Sequence, residues 1–264
     1  MPLADDVSAP PRGTLGLPVP AAGPGICRLC HGPARRGRAE CFCCSEVGQL
    51  LGERPGEGPV VAPIAACRPG DRLHSALRRY KDAPSVAARR HYVTVLAQAV
   101  EQFLAFHLAC LLSSTGGWDA FAVVPSSTRA PAGRPVVHPL QGVLQRVPLL
   151  AGVSSLCLER GTAGVGHLTP DSSAFVGPAA VSGRRVLLVD DTWVTGATAR
   201  SAAGALASSG ASVPAVLVLG RAVDPCAGLA PSRWWEWCQQ LAARGVECCC
   251  LSGCRRAPEP SSTS

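Results

Sequence analysis

The stretch Val186–Gly210, VLLVDDTWVTGATARSAAGALASSG, constrains this chain more than any other. Four apolar residues, Val186 to Val189, run into two adjacent carboxylates, Asp190 and Asp191. A short continuous apolar run bounded by polar residues suits a strand buried on both faces of a parallel sheet. Thr192 to Thr198 form a loop, and the alanine-rich run that stops near Gly210 predicts a helix. Strand, loop and helix in that order put the loop at the carboxyl end of the strand, where open α/β sheets bind their ligands.

The residues of the loop narrow the ligand. Loop amides and a helix N-terminus present N–H groups and a partial positive charge, which favour phosphate. Gly196 lets the backbone come close, and the Thr195 and Thr198 hydroxyls can donate to phosphate oxygens. Ionised Asp190 and Asp191 only accept, so they suit a pair of sugar hydroxyls. The combination asks for a phosphate with a vicinal diol a few ångströms away, the shape of a ribose 5-phosphate. The competing reading is a paired-Asp turn that merely caps a helix. Dehydrogenase and P-loop readings fail: Gly161, Gly164 and Gly166 have the wrong spacing, and no Gly-Lys-Ser/Thr follows any glycine-rich loop.

Cysteines supply the second signal. Cys27-x-x-Cys30 and Cys41-x-x-Cys44 are separated by ten residues, a spacing that can close a tetrahedral thiolate site around structural zinc. Cys43 and His31 are alternative ligands. The arginines between the knuckles fit a connecting loop whose charge offsets thiolates. Met1 to Gly25 lacks the basic and apolar regions of a signal peptide. No run of about 18 uncharged apolar residues occurs either, because Glu101, Gln102 and His107 interrupt the best candidate. The expectation is a cytoplasmic protein without a membrane span, whose 14 cysteines serve as thiols or metal ligands. Net charge is +7, with 24 of the 25 basic residues arginine and Lys81 the single lysine. The basic excess between Arg28 and Arg90 suits nucleic acid or a polyanionic small molecule, or is simply a solvated face.

In order, residues 1–25 read as a disordered tail, 26–50 as the four-cysteine zinc module, and 51–115 as linker and helices. Within the last, 52–69 is a linker or irregular strand, and Asp71–Ala83 and Ser85–Leu112 are helices broken at Pro84. Residues 116–222 carry the α/β core: a strand at Trp118–Pro125, a helix at Gln141–Leu150, and strands at Gly152–Leu158 and Val213–Leu219. Residues 223–256 form a Trp/Cys-rich segment with a helix beginning near Arg233, and 257–264 a disordered tail. Cys248, Cys249, Cys250 and Cys254, with Cys226 or Cys238, offer thiols for a second metal, but their spacing matches no common pattern.

The apolar strand, the acidic pair and the loop ending Thr195-Gly196-Ala197-Thr198 resemble the PRPP-binding motif of type I phosphoribosyltransferases. Together with the Cys-x-x-Cys pairs and the helix containing Leu77-Arg78-Arg79-Tyr80-Lys81, the chain resembles the ComF family over most of residues 26–221. That family, associated with competence, joins a zinc-finger-like module to a phosphoribosyltransferase domain. The resemblance implies an α/β fold, type I phosphoribosyltransferase-like, with a mainly parallel sheet flanked by helices. It implies that Asp190 and Asp191 hold the ribose 2′ and 3′ hydroxyls, while Thr192, Trp193, Val194, Thr195, Gly196, Ala197 and Thr198 hold the 5-phosphate. Ser126, Ser127 and Arg129 then meet the pyrophosphate with Mg²⁺, and residues 159–183 become a hood from which Arg160 or His167 assists the leaving group. Val194 argues against a 6-oxopurine acceptor. Relatives show Arg-Arg-Gly-Phe-Asn where this chain has Arg134-Pro135-Val136-Val137-His138, so the acceptor is not legible. Two other expectations share the site or the charge: a PRPP-sensing module without catalysis, and a DNA-uptake factor binding nucleic acid through its basic N-terminal part.

Overall fold

Val186–Val189 occupies the middle of a strand, as its apolar run requires, but that strand is longer than predicted and spans Arg185–Trp193. In the computed structural model, which describes residues 15–126, 138–244 and 249–251, it is flanked on both sides by parallel neighbours. Numbering runs in chain order. Helix α1 (Phe42–Leu50) is followed by β1 (Val60–Cys67), α2 (Arg72–Asp82), α3 (Val86–Thr115) and β2 (Ala120–Val123). Next come α4 (Pro139–Leu144), β3 (Ser154–Leu156) and a small ribbon of β4 (Glu159–Arg160) and β5 (Phe175–Val176). The chain then forms β6 (Arg185–Trp193), α5 (Ala197–Ser208), β7 (Ser212–Ala222) and α6 (Leu229–Ala243).

The main sheet has five strands in the order β1-β7-β6-β2-β3, every pairing parallel. Parallel neighbours require crossovers, supplied by α2 and α3, α4, and α5. Alternation along the strands divides the core in two. Phe121, Val123, Leu187, Val189, Ala215, Leu217 and Leu219 join the cluster under α2, α3 and α4. Ala122, Val124, Val186, Leu188, Val216 and Val218 join the cluster under α5, which also contains the cysteines of the N-terminal module. The module is therefore built into the second face of the sheet.

Three elements differ from expectation. Residues 60–67, within a stretch read as a linker or an irregular strand, form the regular edge strand β1 along β7. Proline is tolerated at an edge, and Pro63 sits there in register with Val218. Strand β6 extends through both aspartates to Trp193 because the long partner β7 pairs with it as far as Arg221. The end of the expected N-terminal tail is packed: Leu17 bridges to Ala66, and Leu17 and Val19 are buried. Residues 1–14 and 257–264, the remainder of the two tails, lie outside the described residues. Two helices follow the reading closely: Asp71 caps α2 by accepting from His74 N at 2.7 Å, and Ser85 caps α3 by accepting from Ala88 N at 3.1 Å. Helix α1 was not expected, α4 stops at Leu144, short of Leu150, and α6 begins at Leu229, ahead of Arg233. By length and composition α3 could cross a bilayer, yet it carries a buried stripe through Leu96, Val100, Leu104 and Leu111 and packs on α2 and α4. The tryptophans of α6 are mostly core. Trp234 and Trp235 are buried with Leu17, Val19 and Ile26, and Trp237 is 41% exposed.

One ion pair joins the module to the sheet. Arg200 of α5, 5% exposed, pairs with Glu53 and donates to Cys44 O at 2.9 Å. Arg200→Met strips Glu53 of its partner and removes the hydrogen bond to the module. The expected loss is about 2–3 kcal/mol, on the low side for a buried pair because Glu53 is partly exposed. It should be read as a lower urea midpoint together with faster alkylation of Cys44; an unchanged midpoint would remove this link from the account.

Candidate functional site

The site is assembled where β6 ends. Only Val194 to Gly196 separate β6 from α5. Gly196 takes φ +87°, and a Cβ there would lie 2.2 Å from Trp193 Cζ2, so both the backbone and the neighbouring ring require glycine. It is also the N-cap of α5, and no side chain caps the helix. First-turn amides have no intrahelical acceptor, so this end of α5 is a donor cradle with the helix dipole behind it. Thr198 lies half-buried in that turn and Val194 is exposed. Thr195 Oγ1 donates to the carbonyl of His167, and Ala197 N donates back to Thr195 Oγ1 at 3.4 Å. Trp193, expected at the phosphate, instead buries its ring in the core beside the N-terminal cysteines.

Asp190 and Asp191, adjacent on a strand, point to opposite faces. Asp191 is buried and faces α2, where its Oδ2 accepts from Tyr80 OH at 2.5 Å and pairs with Lys81. The chain's single lysine is thus spent on this carboxylate. Asp190 Oδ1 accepts from Asp191 N at 2.9 Å. Burial, followed by the charge of Asp191, pushes the Asp190 carboxyl up to about 8. His138, the N-cap of α4, accepts from Leu140 N through Nδ1 at 3.2 Å. Burial and then the Lys81 charge push its imidazole down to about 4, so it is neutral near pH 7. Sequence alone assigns no site role to Tyr80, Lys81 or His138. A lone lysine on a helix preceding the sheet is the one available signal, and it bears there only on the family resemblance.

The ribbon segment lies over α5. Ser201 Oγ accepts from Asp171 N at 2.8 Å and donates to Ala197 O at 2.7 Å, tying the ribbon to the first turn of the helix. Arg160 stacks on the Phe175 ring at 5.1 Å, and among the described residues no hydrogen bond takes it to Asp190 or Asp191. The side chain of His167 is exposed, and its backbone carbonyl makes the contact to the loop. Ser126 follows β2 and is half-buried. Ser127, Arg129 and Arg134 lie outside the described residues.

Behind the loop sit Cys27, Cys30, Cys41 and Cys44, all buried, with their sulfurs within 4.8 Å of one another. Cys30 and Cys41 Sγ are 3.7 Å apart, and Cys44 N donates to Cys41 Sγ at 3.4 Å. A tight turn holds the first knuckle: Cys27 N donates to Gly32 O at 2.8 Å, and His31 takes φ 56°. These four could hold a metal ion such as zinc; Cys43 and His31 are not in the group. Arg221 connects this cluster to the loop. It is 5% exposed, donates Nη2 to Cys30 Sγ at 3.4 Å, and donates Nη1 to Trp193 O at 3.0 Å and Val194 O at 3.3 Å. Gly32 makes room for it, since a Cβ there would lie 2.1 Å from Arg221 Nη2.

Compared with known protein families and with curated proteins, the chain matches no family model and no curated sequence.

Two outcomes are expected. Gly196→Ala should cost about 1–3 kcal/mol through strain and the clash with Trp193, measured by chemical denaturation; a neutral change would show that the turn relaxes freely. Asp190 has a folded-state pKa above its ordinary 3.8, so it adds stability that is complete below that value and lost as pH rises through about 8. Asp190→Asn should flatten the decline in thermal midpoint over that window, and identical profiles for the two proteins would contradict the assignment.

Proposed function

We propose that the chain binds a ribose 5-phosphate compound, PRPP, at the end of β6 and acts as a phosphoribosyltransferase of the ComF type. The observation that carries this reading is the position of Asp190 and Asp191, one short turn from the uncapped N-terminus of α5. Carboxylates for hydroxyls and amides for phosphate thereby stand next to each other. The parallel sheet flanked by helices and the buried four-cysteine cluster support it as well, being the two parts that the resemblance implies together.

In this reading the amides of Thr195 to Thr198 take the 5-phosphate, and Asp190 and Asp191 take the ribose diol. Lys81 leaves Asp191 for the pyrophosphate, which it can reach as the flexible cation at the acidic pair. Mg²⁺ bound with PRPP would neutralise the pyrophosphate as it departs. A carboxylate at the ribose favours the positive charge that develops on the sugar at C1′. His138, on the α4 side, is neutral, so the cation that meets Asp191 is Lys81 of α2. The four-cysteine cluster holds zinc in a closed, structural site whose negative charge Arg221 offsets. Reduced thiols and a phosphorylated sugar substrate suit a cytoplasmic setting.

A second reading, contact with nucleic acid, rests on a separate feature. A cleft of about 830 Å³ is lined by His74, Arg78 and Arg79 of α2, with Asp82 and Tyr92 at its wall. Binding there would survive loss of the aspartates and weaken steeply with salt.

Calorimetric titration of the zinc-loaded protein with PRPP and Mg²⁺ should give micromolar binding that Asp190→Asn with Asp191→Asn abolishes. Lys81→Met should weaken it about tenfold or more, the worth of a charge-assisted contact. Equal binding by wild type and the double variant would refute the site. Absent PRPP binding with salt-dependent DNA binding would favour the second reading.

A further inference from the structure

The C-terminal cysteines meet a partner that the sequence did not pair them with. His107 and Cys110 lie one turn apart on α3, so they share a face of the helix. Cys249 arrives there from a part of the chain more than half its length away. The ligand atoms of His107, Cys110 and Cys249 all lie within 4.8 Å of one another. Cys226 is exposed, and Cys238 sits in the separate cluster with Trp234, so neither completes this group. Cys248 and Cys254 lie outside the described residues.

From this juxtaposition we propose a second metal site, formed by His107, Cys110 and Cys249, that takes a borderline-soft divalent ion of the zinc class. Three physical features carry it. A tetrahedral ion with sulfur bonds of about 2.3 Å sets its two sulfurs about 3.8 Å apart, so the observed grouping needs little closure. Two sulfurs and an imidazole exclude magnesium and calcium, which want oxygen, and favour zinc. Charge fits the surroundings too: two thiolates neutralise a divalent ion, which suits a site against the apolar core cluster that includes Cys249, Leu111 and Leu251. The four-cysteine cluster, by contrast, stays negative when loaded and has Arg221 beside it.

The site also accounts for a structural oddity. Cys249, Cys250 and Leu251 form no helix or strand, yet all three are buried. Irregular chain normally runs over the surface. A thiolate–metal bond to α3 fixes this stretch against the helix, beside the Phe103 ring, whose centroid lies 5.1 Å from that of His107. One imidazole nitrogen binds the ion and the other remains available for a hydrogen bond. The role is therefore a staple that docks Cys249 to Leu251 on α3.

The test is metal stoichiometry of the full-length protein, reduced, stripped and reloaded with zinc or cobalt. Wild type should take up two equivalents. Cys110→Ser, a one-atom change at a half-buried position, should lower this to one, as should His107→Asn. The Cys27→Ser/Cys30→Ser variant should retain one equivalent with a mixed nitrogen and sulfur shell. X-ray absorption on zinc-loaded wild type serves where a variant does not fold: a nitrogen contribution is expected, and a shell of sulfur alone would overturn the site. A wild-type uptake of one equivalent, or a stoichiometry of two that neither Cys110→Ser nor His107→Asn changes, would overturn it as well. So would a Cys110–Cys249 disulfide in the freshly isolated protein.

Discussion

The contact between Arg221 and the N-terminal cysteines is the interaction on which the rest of the structure depends. A guanidinium 5% exposed calls for negative or carbonyl partners; both terminal nitrogens of this one have them, while its buried Nε has no hydrogen-bond partner among the described residues. Cys30 Sγ lies on one side, and the carbonyls of Trp193 and Val194 on the other. The end of β7 thus clamps the turn that leaves β6 against the cysteine module. Several local features serve the same clamp: Gly32 clears its space, Gly196 lets the turn fold over Trp193, and Trp193 fills the gap between loop and thiols. The loop therefore rests on a rigid floor made by a separate part of the chain, as pre-organised ligand cradles require.

The two aspartates derive different properties from one strand. Asp191 points into the layer under α2, where its Oδ2 accepts from Tyr80 and pairs with Lys81. Asp190 has no cation at contact distance among the described residues, and burial with a like-charged neighbour raises its pKa. The strand thus provides one carboxylate engaged by side chains of α2 and one carboxyl whose own pKa is raised toward neutral pH. That division follows from the pleat alone: a one-residue shift of β6 would exchange the two roles.

Much of this was legible from the sequence, for identifiable reasons. The apolar run at Val186–Val189, the helical patterns that begin at Asp71 and Ser85 and the paired Cys-x-x-Cys knuckles are local signals, and local physics decides them. Strand β1 was legible only as a linker or an irregular strand, because the edge position that accommodates Pro63 is set by its pairing with distant β7. Trp193 was misplaced for a related reason: whether a residue after the acidic pair belongs to strand or loop depends on how far β7 extends beside it. Tyr80, Lys81, His138 and Arg221 reach the site across the fold, and no spacing in the chain encodes those approaches. The group of His107, Cys110 and Cys249 is the extreme case, since a helix read only for its apolar stripe supplies two of the three atoms.

The Lys81–Asp191 pair also determines what kind of ligand the proposed site can accept. A diol reaching Asp191 must compete with an ammonium already on Oδ2 and with the hydroxyl of Tyr80. A neutral sugar would displace Lys81 and leave a partly buried cation unpaired, a costly exchange. A ligand that carries its own phosphate or pyrophosphate supplies a replacement anion for Lys81 as it takes the carboxylate. The same binding event then loads the cradle at the N-terminus of α5. On the proposed reading, the closed pair would discriminate against free sugars and for phosphorylated ones before any contact with a base or other acceptor is made.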